Sequence, residues 1–329
     1  METAISSVAR WYSRFEKLKV FCPLVFYVFS QVGCGCGFLS MLAADAEARR
    51  VIAIENSAFA KIAQQIVADN QLDNVVTIIR GKVEEVELPE EIKEVDIIIA
   101  EWVGHGLFPK NKLASLIFAR DKWLAPDGLV FPDRCRLFIG GAEGALWREE
   151  RYGFWNQVCC VDATNHPNLP KLFNIQVHGI NMADLSEVSR HEPVTEALLE
   201  ETVVTTPCLL LELNMQTCQL EELQISSVFY LKVQRQDYLT ALFTHFDMLF
   251  THGRQPVILS TGPSSPVTHW KQMIFCLKED LVVKEGDTIV GKMVVEMENS
   301  DARKVDFRLK LRHIGKWGSK MQEEFFKVG

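Results

Sequence analysis

Apolar residues in the N-terminal part of the chain fall into short blocks whose spacing alternates between continuous and helical. Leu24 to Val32 carries no charge and predicts a strand buried on both faces. Gly33-Cys34-Gly35-Cys36-Gly37 then reads as a tight turn, and Phe38 to Arg49 has the spacing and composition of a helix. Arg50 to Glu55 is a short apolar strand ending in an acid, which completes one strand-helix-strand unit. Ala58 to Asn70 predicts a second helix, Val75 to Ile79 another strand, and Val95 to Ala100 a third apolar run that stops at Glu101. Such alternation implies an α/β fold with a parallel sheet covered on both faces. Ligands of these sheets sit beyond the carboxyl ends of the strands, where Gly33, Glu55 and Glu101 all fall.

The pattern changes after Lys122-Trp123-Leu124-Ala125-Pro126-Asp127-Gly128. From there the chain is mostly short strands separated by turn residues, interrupted by an aromatic stretch around Trp147 to Trp155, so a β-rich second domain is expected from about Arg134. A length of 329 residues with 48% hydrophobic content agrees with two cores. The net charge of −8 argues against nonspecific binding to nucleic acid and favours a cationic partner, although a mild acidic excess also serves solubility. Nine cysteines without framework spacing fit a reducing compartment. Cys34 with Cys36, and Cys159 with Cys160, lack a second pair at zinc-like spacing, so no metal is expected.

One composition admits two readings. Val20 to Ala44 is uncharged and follows Arg10, Arg14, Lys17 and Lys19, as a membrane anchor would. Pro23, Ser30, Gln31 and the glycines at 33, 35 and 37 interrupt it, and a buried strand running into a glycine turn explains the same residues. No membrane partner is therefore expected.

The turn at Gly33 suits a ligand that must approach the backbone closely, and the helix behind it offers exposed N–H groups to a carboxylate. Glycine turns also serve geometry alone. Glu55, at the end of the next strand, is placed to accept hydrogen bonds from both ribose hydroxyls of an adenosine ligand, or to stand as an ordinary solvated acid.

Ala100-Glu101-Trp102-Val103-Gly104-His105-Gly106-Leu107-Phe108 resembles the first half of the double-glutamate loop of protein arginine methyltransferases, and Thr268-His269-Trp270 resembles that family's threonine-histidine-tryptophan loop. The similarity extends over Val32 to Gly37, Gly81 to Pro89, Phe118 to Pro126 and the β-rich half to about residue 315. The resemblance implies a Rossmann-like methyltransferase domain over 23–133, after an N-terminal segment 1–22, and a β-barrel domain over 134–329. A helical arm at about 143–170, of which Trp155-Asn156 is a remnant, would mediate a homodimer. It further implies S-adenosylmethionine as cofactor, held by Gly33, Cys34, Gly35 and Gly37, with Glu55 on the ribose and Glu84 on the adenine amino group. Substrates would be arginine-containing proteins such as histones or Arg-Gly-rich segments, in cytoplasm and nucleus, with no direct nucleic-acid partner.

A guanidinium is a poor nucleophile because its lone pair is delocalised, so a site must orient it and draw its charge toward one nitrogen. A carboxylate in bidentate contact does this, and Glu101 is the candidate, with His269 as a second catalytic residue and Trp102, Lys110 and Trp270 bordering the substrate pocket. Several positions depart from the family. Lys110 occupies the place of the second glutamate; a like charge about 4 Å from a guanidinium repels it by ~1 kcal/mol in water-like surroundings and up to ~4 kcal/mol at an effective dielectric of 20, and the lost attraction doubles the swing. His105 replaces a tyrosine, Lys112 a methionine and Gln31 an aspartate, and the family's N-terminal tyrosine-phenylalanine helix is not found. These departures leave a second expectation open: a catalytically impaired relative that acts as a binding or regulatory subunit.

Overall fold

The computed structural model describes residues 28–108, 110–144, 191–252, 256–297, 304–315 and 318–328, without the side chains of His105, Lys110 and Asn111. The N-terminal segment, Trp155-Asn156, Cys159, Cys160 and nearly all of the expected arm lie outside the described residues. The chain divides into two compact units. The first holds Met1–Leu137, Leu211–Leu223 and Phe246–Lys271, so the Thr268-His269-Trp270 segment belongs to the same unit as Glu101.

In the first unit β1 (Val28–Val32), β2 (Arg50–Glu55), β3 (Val76–Arg80), β4 (Val95–Ala100) and β5 (Leu124–Phe131) form a sheet ordered β3-β2-β1-β4-β5. All of its pairs are parallel. The strands are apolar at successive positions, the pattern of a sheet buried on both faces; Val51 to Ile54 and Ile98 are essentially fully buried. Order reverses at β1, which pairs with β2 on one side and β4 on the other. Register makes that reversal useful: Val32 stands opposite both Ile54 and Ala100, so Gly33, Glu55 and Glu101 each follow the same level of the sheet by one residue.

Helix α1 (Phe38–Asp45) buries Leu39, Ser40 and Ala43, and α2 (Phe59–Asp69) buries Ala60, Ala63 and Val67 at the spacing of one helical face. The first helix is shorter than the apolar pattern suggests. Ala46 and Glu47 donate their N–H groups back to Leu42 and Ala44, and Glu47 turns left-handed at φ 66°, which ends the helix before Arg49. Within the uncharged run, Val28–Val32 is a central strand and Phe38 onward is α1, which overturns the membrane-anchor alternative for residues 28–44. Among the described residues no helix is long and apolar enough to cross a membrane.

Two elements escape the sequence pattern, α3 (Lys110–Trp123) and β5. Leu113, Leu116, Ala119 and Trp123 do recur at helical spacing and are buried, but Arg120 breaks the stripe with a charge. That guanidinium is buried too: it donates to the carbonyls of Met215 and Cys218 at 3.1 and 2.9 Å, which ties α3 to the turn after a later strand.

The remaining strands are β6 (Arg134–Ala142), β7 (Val194–Glu196), β8 (Cys208–Asn214), β9 (Ile225–Lys232), β10 (Asp237–Phe250), β11 (Val257–Ser260), β12 (Gln272–Val283), β13 (Thr288–Met297), β14 (Val305–Gly315) and β15 (Gly318–Val328). They form a sheet ordered β7-β12-β10-β6-β8, with β11 on β10, and a second ordered β15-β14-β13-β9. The second sheet is antiparallel throughout. Along β14, Val305, Phe307, Leu309 and Leu311 alternate inward with polar residues outward, as a sheet with one wet face requires. Phe275 of β12 packs on Phe307 and Phe326 with ring centroids 5.1 Å away.

Candidate active site

A cavity of about 520 Å³ opens at the carboxyl ends of β1, β2 and β4. Gly33, Glu55, Glu84 and Glu101 line it, with Trp102 and, from α3, Lys112 and Ser115. Its size falls in the range of small-molecule sites.

The turn after β1 is shaped by backbone requirements. Gly33 and Gly35 adopt φ of 70° and 55°, a left-handed region that side-chain-bearing residues rarely adopt, and a Cβ at either position would meet no atom within 4 Å. The N–H groups of Gly33 and Cys34 both reach the Ile54 carbonyl at 3.0 Å, which fastens the turn to β2. Cys34 is not an open ligand. Its side chain is buried against Ala53, Ala63 and Ile78, and burial together with the charge of Glu55 pushes its thiol up to about 12. Gly37 serves packing, since a Cβ there would sit 3.6 Å from Ala63. Of the four residues expected to hold the cofactor in this turn, only Gly33 lines the cavity.

Glu55 accepts the N–H of Gly35 and the N–H of Ser57, each at 2.8 Å, one on each carboxylate oxygen. Burial alone would raise this carboxyl, but the hydrogen bonds from Ser57 and Gly35 and the charge of Lys112 outweigh it and hold it below the usual carboxylate value. With these donors counted, the carboxylate keeps acceptor capacity for a further hydroxyl donor. Glu84 accepts the Ser115 hydroxyl at 2.8 Å, so the carboxylate expected at an adenine is held by α3. Gln31 uses its side-chain oxygen to accept the Ser40 hydroxyl, and the pair is buried between β1 and α1. A carboxylate in that enclosed place would need a cation; the neutral pair does not.

Glu101 lies one residue past β4 and is half-buried, and desolvation raises its carboxyl above the usual value despite the opposing charge of Lys112. His269 Nε2 stands 3.9 Å from its Oε1, too long for a direct hydrogen bond but close enough for Coulomb coupling when the imidazole is protonated. Trp102 is buried and its Nε1 has no partner among the described residues. Trp270 is buried behind His269, 3.9 Å between ring centroids, and meets Phe246 edge-on at 5.7 Å. It does not line the cavity. The side chain of Lys110 lies outside the described residues. Its neighbour Lys112 reaches Glu55 and Glu101 electrostatically instead, and Ser115 joins it from the same helix. Sequence reasoning had no means of finding Ser115, because the apolar pattern does not reveal α3 as a wall of the site.

The arrangement is one of carboxylates around an apolar-floored cleft at the switch point of a doubly wound sheet. Residues 133–316 match the arginine methyltransferase oligomerization subdomain, and residues 30–131 match a methyltransferase domain. The chain belongs to the protein arginine methyltransferase family. It is 38% identical over 284 residues to protein arginine N-methyltransferase 8-B of Danio rerio, covering 86% of this chain and 63% of that protein. With protein arginine N-methyltransferase 1 of Caenorhabditis elegans it shares 37% identity, over 86% of this chain and 76% of the other. Among solved structures it superposes on the Trypanosoma brucei PRMT1 enzyme-prozyme heterotetrameric complex with AdoHcy at a TM-score of 0.81, with 32% identity over 94% of this chain and 90% of that one. The fold is shared as well with Arabidopsis thaliana protein arginine methyltransferase 10, at a TM-score of 0.84 and 23% identity, over 100% of this chain and 97% of that one.

Proposed function

We propose that this chain methylates arginine side chains of proteins, with S-adenosylmethionine as the methyl donor. One observation carries the reading: the glycine turn and the carboxylates of Glu55, Glu84 and Glu101 converge on one cavity at the sheet's switch point. The residues present suit the cofactor, because the turn offers an open backbone face and Glu55 retains acceptor capacity. Gly33 and Glu55 would hold the adenosine and its ribose, and Glu84 the adenine amino group. Cys34, Gly35 and Gly37 would act through the backbone and packing of the turn. When bound, the cofactor supplies an electrophilic sulfonium methyl.

Glu101 is the residue proposed to receive the substrate guanidinium. Its carboxylate accepts two N–H groups, localises positive charge away from the attacking nitrogen and fixes that nitrogen in line. His269, beside Glu101, would take up or relay the proton released on alkylation, while Trp102 lines the cavity and Trp270 backs His269.

The substrates that suit a chain of net charge −8 are basic, flexible segments such as histone tails or Arg-Gly tracts. A homodimer is proposed from the match to the oligomerization subdomain. Cytoplasm and nucleus are proposed as its compartments, a reading supported by Cys34, Cys36, Cys135, Cys208, Cys218 and Cys276 all being free thiols.

The test is transfer of labelled methyl from S-adenosylmethionine to an Arg-Gly peptide. Wild type should transfer label, and Glu101→Gln should lose at least about 100-fold, the scale of removing one preorganised charge contact. Transfer undiminished in Glu101→Gln would remove that residue from its role. A wild type that binds S-adenosylhomocysteine but transfers nothing, with transfer appearing in Lys110→Glu, would establish the regulatory-subunit reading instead.

A further inference from the structure

The cavity holds a cation that the proposed reaction does not call for. Lys112 enters from the first turn of α3 and lines the same space as Glu55 and Glu101. It faces carboxylates at the ends of two strands: its charge acts on Glu55, at the end of β2, and on Glu101, just past β4. Lys82, which also lines the cavity, pairs with Glu85 at 2.8 Å. The charged lining is completed by Glu84, which is held by Ser115. Lys112 thus shares one cavity with the proposed ribose carboxylate and the proposed guanidinium carboxylate, and its charge acts on both.

Resting on the cofactor reading above, we infer that Lys112 sets the charge preference of the cofactor site, disfavouring the positively charged methyl donor relative to its neutral thioether product. The two ligands differ by one methyl group and one positive charge, so they form an electrostatic probe pair. Any like charge nearby penalises the sulfonium and leaves the thioether untouched. Lys112 also satisfies part of the negative field of Glu101 and Glu55, which removes attraction that the sulfonium would otherwise gain. Because Lys112 is exposed, both effects are screened by salt. The functional consequence is that a change in ionic strength shifts the ratio of the two affinities. Lys112 is in this sense a specificity-determining residue rather than a catalytic one.

Isothermal titration of the full chain with S-adenosylmethionine and, separately, S-adenosylhomocysteine gives the ratio of the two dissociation constants without any turnover. Wild type should prefer the product, and Lys112→Met should reduce that preference by on the order of three- to tenfold, chiefly through tighter binding of the donor. Lys112→Arg, which keeps the charge, should retain the wild-type ratio. Raising salt should compress the wild-type preference and leave that of Lys112→Met nearly unchanged. An identical ratio in wild type and Lys112→Met, with both ligands bound, would overturn this inference and leave the cofactor reading standing. Failure of wild type to bind either ligand would overturn both.

Discussion

Two carboxylates a strand apart are driven in opposite directions, and the difference assigns them different work. Glu55 is hydrogen-bonded by the Ser57 side chain and by the backbone N–H groups of Ser57 and Gly35, so it is held below the usual carboxylate value and keeps the turn fastened to β2. Glu101 is raised by desolvation, so it surrenders its proton at a higher pH than an ordinary carboxyl. Since an arginine needs the ionised form, kcat/KM should rise with pH through the raised value of Glu101, a limb that pH profiles of Glu101→Gln should lack. The signs for stability are opposite as well. A depressed group such as Glu55 contributes stability that is present above its unfolded pKa and lost as pH falls through the folded one. Glu101, which binds its proton more tightly when folded, costs stability as pH rises from its unfolded to its folded value. Glu101→Gln should therefore unfold at an equal or higher temperature than wild type at neutral pH, although it loses activity; a clear fall in Tm would show that the glutamate has a structural role. At this scale Glu55 and Glu101 were legible in the sequence because each ends an apolar strand. The opposite environments were not, because they depend on how the chain turns at Ser57 and on Gly35 and Lys112 arriving from other segments.

At the scale of elements, α3 matters most. It supplies Lys112 and Ser115 to the cavity from one end, while Arg120 anchors the other end to the carbonyls of Met215 and Cys218. Arg120→Ala leaves those acceptors without their donor in a buried place, at a cost of about 2–4 kcal/mol, readable as a drop in the denaturant midpoint. Because α3 carries Ser115, the same variant should also weaken S-adenosylhomocysteine binding. A variant that lost neither stability nor affinity would separate the helix from the site. The strand-helix-strand order around the glycine turn was visible in the spacing of apolar residues, whereas α3 was hidden by the charge at 120. A guanidinium that satisfies backbone carbonyls reads in sequence as a surface residue.

For the molecule as a whole, the match to an oligomerization subdomain over 133–316 leads to an expected mass. Light scattering on the eluting full chain should give twice the chain mass across a tenfold dilution; a single-chain mass would dispose of the proposed homodimer. The division into units has its own lesson. Residues Leu211–Leu223 and Phe246–Lys271 fold with the parallel sheet although they are separated from it in sequence by much of the β-rich part. A contiguous boundary near residue 134 captures where the pattern changes, but contact decides where a segment is buried.

The chain's own pattern determined the elements of the parallel sheet, the glycine turn and the acids that end β2 and β4, because strand and helix periods and the steric freedom of glycine are local properties. The motif at Glu101 and the segment at His269 were each recognisable too. Only the folded structure decided that His269 stands 3.9 Å from Glu101 and that Lys112 shares the cavity with Glu55 and Glu101. It also decided that the Cys34 side chain is buried against Ala53, Ala63 and Ile78. Those outcomes depend on which distant segments meet and on how water is excluded where they do. Burial and the field of neighbouring charges belong to the assembled site, and no stretch of sequence carries them alone.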